Sequence, residues 1–237
     1  MVVVNKPSGL LVHRSFIDRH ETRFALQEVR NAIGRHVYPV HRLDKPTSGV
    51  LLFALSSECA KRLSHMFLSR EVRKSYIAVV RGYVDREGVV DHPLKQMLDT
   101  KLQKRMGKSE ESYEARTYYR RLGTVEVPFA VGRYDTARYS LVALMPETGR
   151  KHQLRRHMKH ISHHMIGDTK HGRGEHNRFF REYLGVRRLL LHAYELSLTH
   201  PETGRKLTFC APLDEDFAKV LRTFGWNGVE LEIENYR

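Results

Sequence analysis

Cysteine is nearly absent from this chain. Cys59 and Cys210 are the only two in 237 residues, too few for a disulfide scaffold or a four-sulfur metal site, which suits a reduced, cytoplasmic setting. Long apolar runs are missing as well, and none approaches the roughly 20 residues that a membrane-spanning helix needs. Met1–Lys6 carries no basic segment ahead of its short apolar run, so it does not read as a signal peptide. No amphipathic stretch sets a basic face against a greasy one, which argues against a membrane surface as partner. Acidic residues are scarce relative to basic ones, 27 against 41, for a formal charge of +14. Such an excess favours a polyanion through counterion release and steering, and with membranes set aside the expected partner is nucleic acid. Apolar residues make up 41%, enough to argue against disorder. The length allows one sizeable core or two lobes sharing a cleft.

The stretch from His41 to Leu55 organises what is present. His41, Arg42 and Asp44 crowd around Leu43, turn formers follow from Pro46 to Gly49, and Val50 to Leu55 reads as a buried strand. A carboxylate on a loop that enters a rigid strand suits a reactive side chain, because the scaffold fixes it while the loop exposes it. The plain alternative is a solvated Arg42–Asp44 ion pair, which would contribute little.

His41-Arg42-Leu43-Asp44 followed by Thr47-Ser48-Gly49-Val50-Leu51-Leu52 resembles the catalytic motif of the RluA-type pseudouridine synthases. Three more segments resemble that family in the same order: Asn5-Lys6-Pro7-Ser8-Gly9 with Val12-His13, then Tyr76 to Gly82, then Thr148 to His157. Four ordered motifs across most of a chain form a specific signal. The resemblance implies isomerisation of a uridine in RNA to pseudouridine, with no redox cofactor and no metal. It implies that Asp44 is the nucleophile, attacking ribose C1′ or base C6, since a carboxylate can form a covalent intermediate that divides a hard step. Asp44 must be ionised. Arg155 is the candidate cation, because a guanidinium can grip a carboxylate through two N–H groups; the alternative for Arg155 is a phosphate contact. Tyr76 matches the family tyrosine that stacks on the uracil, with removal of the C5 proton as a second role; without the motif it would read as a core tyrosine. A stacked uridine must be extruded before it can react, and Arg42, flat and hydrogen-bonding, suits the vacated space. Arg150, His41 and Lys6 complete the residues expected to meet RNA.

Apolar spacing places a strand at Val2–Asn5, a helix over 22–33 stopped by Gly34, a helix capped by Ser56-Ser57, and a strand at Tyr76–Val80. About 94–121 the sequence turns polar and reads as an insertion. Strands resume around Thr117–Arg121 and Arg138–Met145, a helix runs from Lys151 to about Ser162, and a closing helix ends near Trp226. Pro-Glu-Thr-Gly-Arg occurs at Pro146–Arg150 and Pro201–Arg205, each reading as a turn with Pro and Gly supplying the unusual backbone angles, the second joining a hairpin. Hairpin-linked strands suggest an α+β fold with a mostly antiparallel sheet. The resemblance adds two lobes of a mixed sheet, flanked by helices, with the active cleft at the centre. Residues 1–237 are read as one catalytic domain and a monomer, without a separate RNA-binding domain in front.

Fifteen histidines invite a metal reading, but neither His-Glu-x-x-His nor paired Cys-x-x-Cys occurs, so packing and hydrogen bonding are expected of them. Val12 to Ser15, Gly132 to Tyr134 and Ile166 to Gly172 are similar to a branch of the family that modifies tRNA at uridine 65, in the T-stem region. A 23S rRNA uridine is the alternative target. From another class, the chain could be an RNA-binding or folding factor whose chemistry is dispensable.

Overall fold

The computed structural model describes residues 1–14, 20–97 and 111–231. Strand β3 (Ser48–Ala54) is buried along its whole length, as a continuous apolar run requires. Its alternate side chains serve different cores, Val50, Leu52 and Ala54 on one face and Leu51 and Phe53 on the other. Strand β4 (Arg73–Arg81) behaves likewise, with Ile77 and Val79 in one core and Ala78 and Val80 in another. The period of two in a strand makes this division automatic. Four cores result, two for each half of the sheet.

The remaining strands are β1 (Val2–Lys6), β2 (Tyr38–Pro39), β5 (Glu87–Asp91), β6 (Leu94–Lys95), β7 (Ser112–Tyr113), β8 (Arg116–Val127), β9 (Ala137–Pro146), β10 (Leu191–Thr199) and β11 (Lys206–Cys210). The main sheet runs β1-β3-β10-β4-β9-β8-β5, with β2 also on β3 and β11 on β10, while β6 and β7 pair separately. Every pairing is antiparallel except β3 with β10. That parallel seam is only two residue pairs long, His192 with Ser48 and Ala193 with Gly49. Gly49 is obligatory there: its φ is +113° and a Cβ would lie 2.1 Å from the Ala193 carbonyl oxygen. The mixed, mostly antiparallel α+β architecture agrees with expectation.

Helix α1 (Ala25–Ile33) ends at Gly34 in the left-handed region, and α2 (Ser57–Leu68) begins where the Ser56 hydroxyl accepts from the Cys59 N–H. Helix α3 (Gln153–His160) packs Leu154 and Met158 against Val80, Val142 and Leu144. Helix α4 (Gly174–Leu184) was not anticipated; its buried face is His176, Phe180 and Leu184. Helix α5 (Glu215–Thr223), capped by Asp214, closes the described fold with Phe217 and Val220 fully buried.

The expected insertion at about 94–121 falls partly on residues 98–110, outside the described residues. Its edges are more regular than expected, since β6 pairs with β7 and β8 already begins at Arg116. Of the two Pro-Glu-Thr-Gly-Arg turns, the second takes its positive φ at Gly204 (68°) as expected. In the first, Gly149 has no positive φ, and the nearest left-handed residue is His152 (56°), two residues beyond the motif at the start of α3.

Candidate active site

Asp44 lies on the loop entering β3, and that loop is clamped from several sides. Leu43 is buried in the core beneath it, and the Thr47 N–H donates to the Asp44 carbonyl at 3.0 Å. The N-terminal turn holds the outer side: the Gly9 N–H donates to the Lys45 carbonyl at 2.9 Å and the Ser8 hydroxyl to the Pro46 carbonyl at 2.7 Å. Lys6 completes the clamp. Its ammonium is buried and donates to the carbonyls of Pro7, Leu10 and Lys45. Burial and the nearby Arg188 lower its pKa to about 7, with Asp44 pulling the other way. Lys6 therefore braces the loop and is not presented to RNA, which corrects the expectation. His41 is half-buried and lines the cleft. Its ring stacks on Phe67, its Nε2 accepts from the Leu52 N–H at 2.9 Å, and burial followed by the charge of Lys74 pushes its pKa to about 3.

The opposite wall comes from α3. Buried Gln153 locks the start of that helix, accepting from the Thr148 hydroxyl and the Arg150 N–H and donating to the Arg116 carbonyl and the Thr117 hydroxyl. One turn later Arg155 reaches two carboxylates. Its Nη1 donates to Asp44 at 3.3 Å, while Nε and Nη2 both donate to Asp168 at 2.7 Å. The expected pair of Arg155 and Asp44 is present, but the two-pronged grip falls on Asp168. The side chains of Arg155 and Asp168 are 4% and 1% exposed, against 20% for Asp44. The embedded pair is thus the support, and the more open carboxylate faces the cleft.

Asp168 was quoted in the sequence only as part of the run from Ile166 to Gly172, without a role. It accepts two further hydrogen bonds, from the N–H groups of Lys170 and His171, each at 2.9 Å. Burial opposes its ionisation, yet the guanidinium and those N–H groups outweigh burial and hold the carboxyl below its usual range. Its backbone is fixed by Gly167, where a Cβ would lie 1.9 Å from the Arg188 carbonyl oxygen.

Tyr76, on β4, lines the same cleft. Burial, and secondly the charge of Asp44, raise its phenol well above the ordinary tyrosine range, so it stays protonated. Arg42 and Arg150 are exposed at the cleft, and Arg150 lies over the Tyr113 ring and donates to the Glu114 carbonyl. The cleft encloses about 420 Å³ and brings together Asp44, Tyr76, Arg155, Arg42 and Arg150, enough to receive a single extruded base. His152 also faces it, with Nε2 3.8 Å from the Asp44 carboxylate.

Other histidines have local partners: His157 bonds Thr117 and the His92 carbonyl, His163 the Arg81 carbonyl, His176 the Tyr139 hydroxyl, and His192 the Ser48 hydroxyl and the Ala211 carbonyl. Among the described residues, no three His, Cys, Asp or Glu side chains converge as metal ligands. Among the same residues, no helix is long and apolar enough to cross a membrane.

A protein of Vibrio cholerae named tRNA pseudouridine synthase C is 51% identical, spanning 95% of this chain and 93% of its own length. The protein of that name from Yersinia pestis is 53% identical over 99% of this chain and 91% of its own. Among solved structures, human RNA pseudouridylate synthase domain containing 4 superposes with a TM-score of 0.68 at 26% identity, covering 96% of this chain and 90% of that one. The sequence pattern of the RNA pseudouridylate synthases matches residues 1–160. Since that match covers more than half of the chain, the chain belongs to the RNA pseudouridylate synthase family.

Proposed function

We propose that this chain isomerises a uridine of tRNA to pseudouridine, at position 65 in the T-stem region, with Asp44 as the nucleophile. The observation that carries the reading is the approach of Arg155 to Asp44 from the far wall of a cleft sized for one base. The relatives named tRNA pseudouridine synthase C, alike over nearly the whole chain, support tRNA as the substrate class. Asp44 attacks C1′ or C6, the N1 glycosidic bond breaks, the base turns, and C5 takes the place of N1. A carboxylate held by a guanidinium that is itself anchored needs little reorganisation when it attacks.

Arg42, exposed beside Asp44, enters the space that the uridine leaves, and Tyr76 stacks on the extruded base. Arg150 contacts the RNA backbone. The surplus of basic residues supplies affinity that does not depend on sequence. The protein acts as a single subunit in the cytoplasm, with no metal or cofactor. Mapping pseudouridines in total RNA from a strain lacking the gene tests the target. Loss of one tRNA pseudouridine, at position 65, is expected; loss of a 23S rRNA site with tRNA unchanged would refute the tRNA reading.

A further inference from the structure

The route above leaves His152, the cleft side chain beside Asp44, without a task. Once C5 has joined C1′, C5 still carries its hydrogen, and that proton must leave before the ring regains conjugation. Tyr76 cannot take it as a phenolate, because burial keeps the phenol protonated. On the C1′ route Asp44 has by then been released from the ribose, but its carboxylate is held by Arg155, and the arginines have no lone pair to offer. His152 does. Its Nε2 lies 3.8 Å from the Asp44 carboxylate, beyond a hydrogen bond, and lines the cleft. Its Nδ1 lies 2.9 Å from Nε2 of His171, so a proton on Nδ1 shared with His171 leaves the cleft-facing nitrogen free to accept.

The backbone adds a second observation. His152, the residue that precedes α3, has a φ of 56°, in the left-handed region that residues other than glycine rarely hold. Strained positions of this kind gather at functional sites. Burial, and after it the charges of Arg155, His171 and Lys170, lower its pKa to about 4 against the pull of Asp44. The imidazole is therefore neutral at pH 7.

We propose that His152 is the general base that removes the C5 proton, and that His171 carries the proton on toward solvent. The proposal rests on the isomerase reading above. In the step itself the C5–H bond breaks and its electron pair forms the C5–C6 double bond. The electrons of the N1–C6 double bond move to N1, which takes a proton from water. Nε2 of His152 gains the proton from C5 as Nδ1 releases its own to His171. One proton enters solvent and one leaves it, so no co-reactant is needed.

The test uses single-turnover isomerisation of an unmodified tRNA transcript, with its uridines carrying either hydrogen or deuterium at C5. His152→Gly suits the left-handed backbone and leaves room for added imidazole. It should slow the reaction by about 100-fold, the lower range for loss of a general base, and should acquire a primary isotope effect that the parent lacks. Added imidazole should restore about tenfold or more. His152→Asn, whose amide tolerates the same backbone but has no basic nitrogen, should show the isotope effect without rescue. His171→Ala should lose less. Slow variants with neither an isotope effect nor rescue, or variants at the parental rate, would overturn the assignment. Failure of the parent protein itself on this transcript would instead count against the isomerase reading.

Discussion

Two carboxylates share Arg155, and their amide variants should have opposite consequences. Asp168 is buried and accepts four N–H groups: two from Arg155 and one each from Lys170 and His171. Asp168→Asn removes the charge, replaces one acceptor oxygen by an amide donor, and leaves a buried guanidinium short of a partner. Breaking such a pair from one side costs about 3–5 kcal/mol. At about 2–4 °C per kcal/mol for a chain of this size, the melting temperature should fall by about 6–20 °C. Asp44 makes one contact with Arg155 at 3.3 Å from a more exposed position, so Asp44→Asn should cost under about 1 kcal/mol while abolishing isomerisation and leaving RNA binding within about a few-fold. Calorimetry on both variants, with deamidation excluded by mass spectrometry, reads the contrast. The pH dependence supplies a sign. Because the Asp168 carboxyl is held below its usual range when folded, its contribution is complete above roughly pH 4 and is lost as pH falls through the folded value. The gap between parent and Asp168→Asn should therefore close in acid. A melting temperature for Asp168→Asn within about 2 °C of the parent would refute the claim that Asp168 anchors the site.

Three further outcomes are expected. Arg42→Lys keeps charge but loses the flat stacking surface, so its defect should shrink when the target uridine is mismatched and unpairing costs about a few kcal/mol less; Arg155→Lys, damaged at the buried carboxylates, should gain little, and equal rescue of the two in single-turnover assays would contradict the division. His41, pushed by burial to about 3, and His176 and His192, pushed by burial to about 4, sit below the unfolded value of roughly 6.5; stability should be complete above that pH and decline as pH drops toward 4, so a urea midpoint that stays flat from pH 7.5 to about pH 4.5 would be inconsistent with it. Gly49→Ala, whose Cβ would meet the Ala193 carbonyl at 2.1 Å, should destabilise by about 3 kcal/mol or more, whereas Gly149→Ala, with nothing within 4 Å and no positive φ, should leave the denaturation midpoint unchanged.

What the sequence disclosed was local. Val50–Leu55 and Tyr76–Val80 announced buried strands because strands buried on both faces are continuously apolar. Gly34, Ser56 and the spacing around Phe217 marked helix ends and faces by stereochemistry that operates within a few residues. Helix α4 escaped because its inward face is His176, Phe180 and Leu184, a stripe of only three residues that opens on a histidine and so carries little apolar periodicity. Charge type alone suggested RNA contact for Lys6, but burial depends on what packs over a residue, and its ammonium is held by backbone carbonyls. Arg155 beside Asp44 could be carried over from a motif. The stronger grip on Asp168 could not, since whether a guanidinium meets one carboxylate or two depends on where a turn 13 residues later returns.

The narrow seam between β3 and β10 also bears on when activity can begin during synthesis. Arg155 follows Asp44 by 111 residues, and the strand that fills the gap between β3 and β4 follows later still, with His192 144 residues beyond its partner Ser48. At about 5–20 residues per second, the ribosome delivers Asp44 roughly 5–20 s before Arg155, and the middle of the sheet after both. A nascent chain can already carry its basic loops and its carboxylate, yet it cannot close the site around a uridine. The cleft is complete only once β10, late among the described strands, has been made.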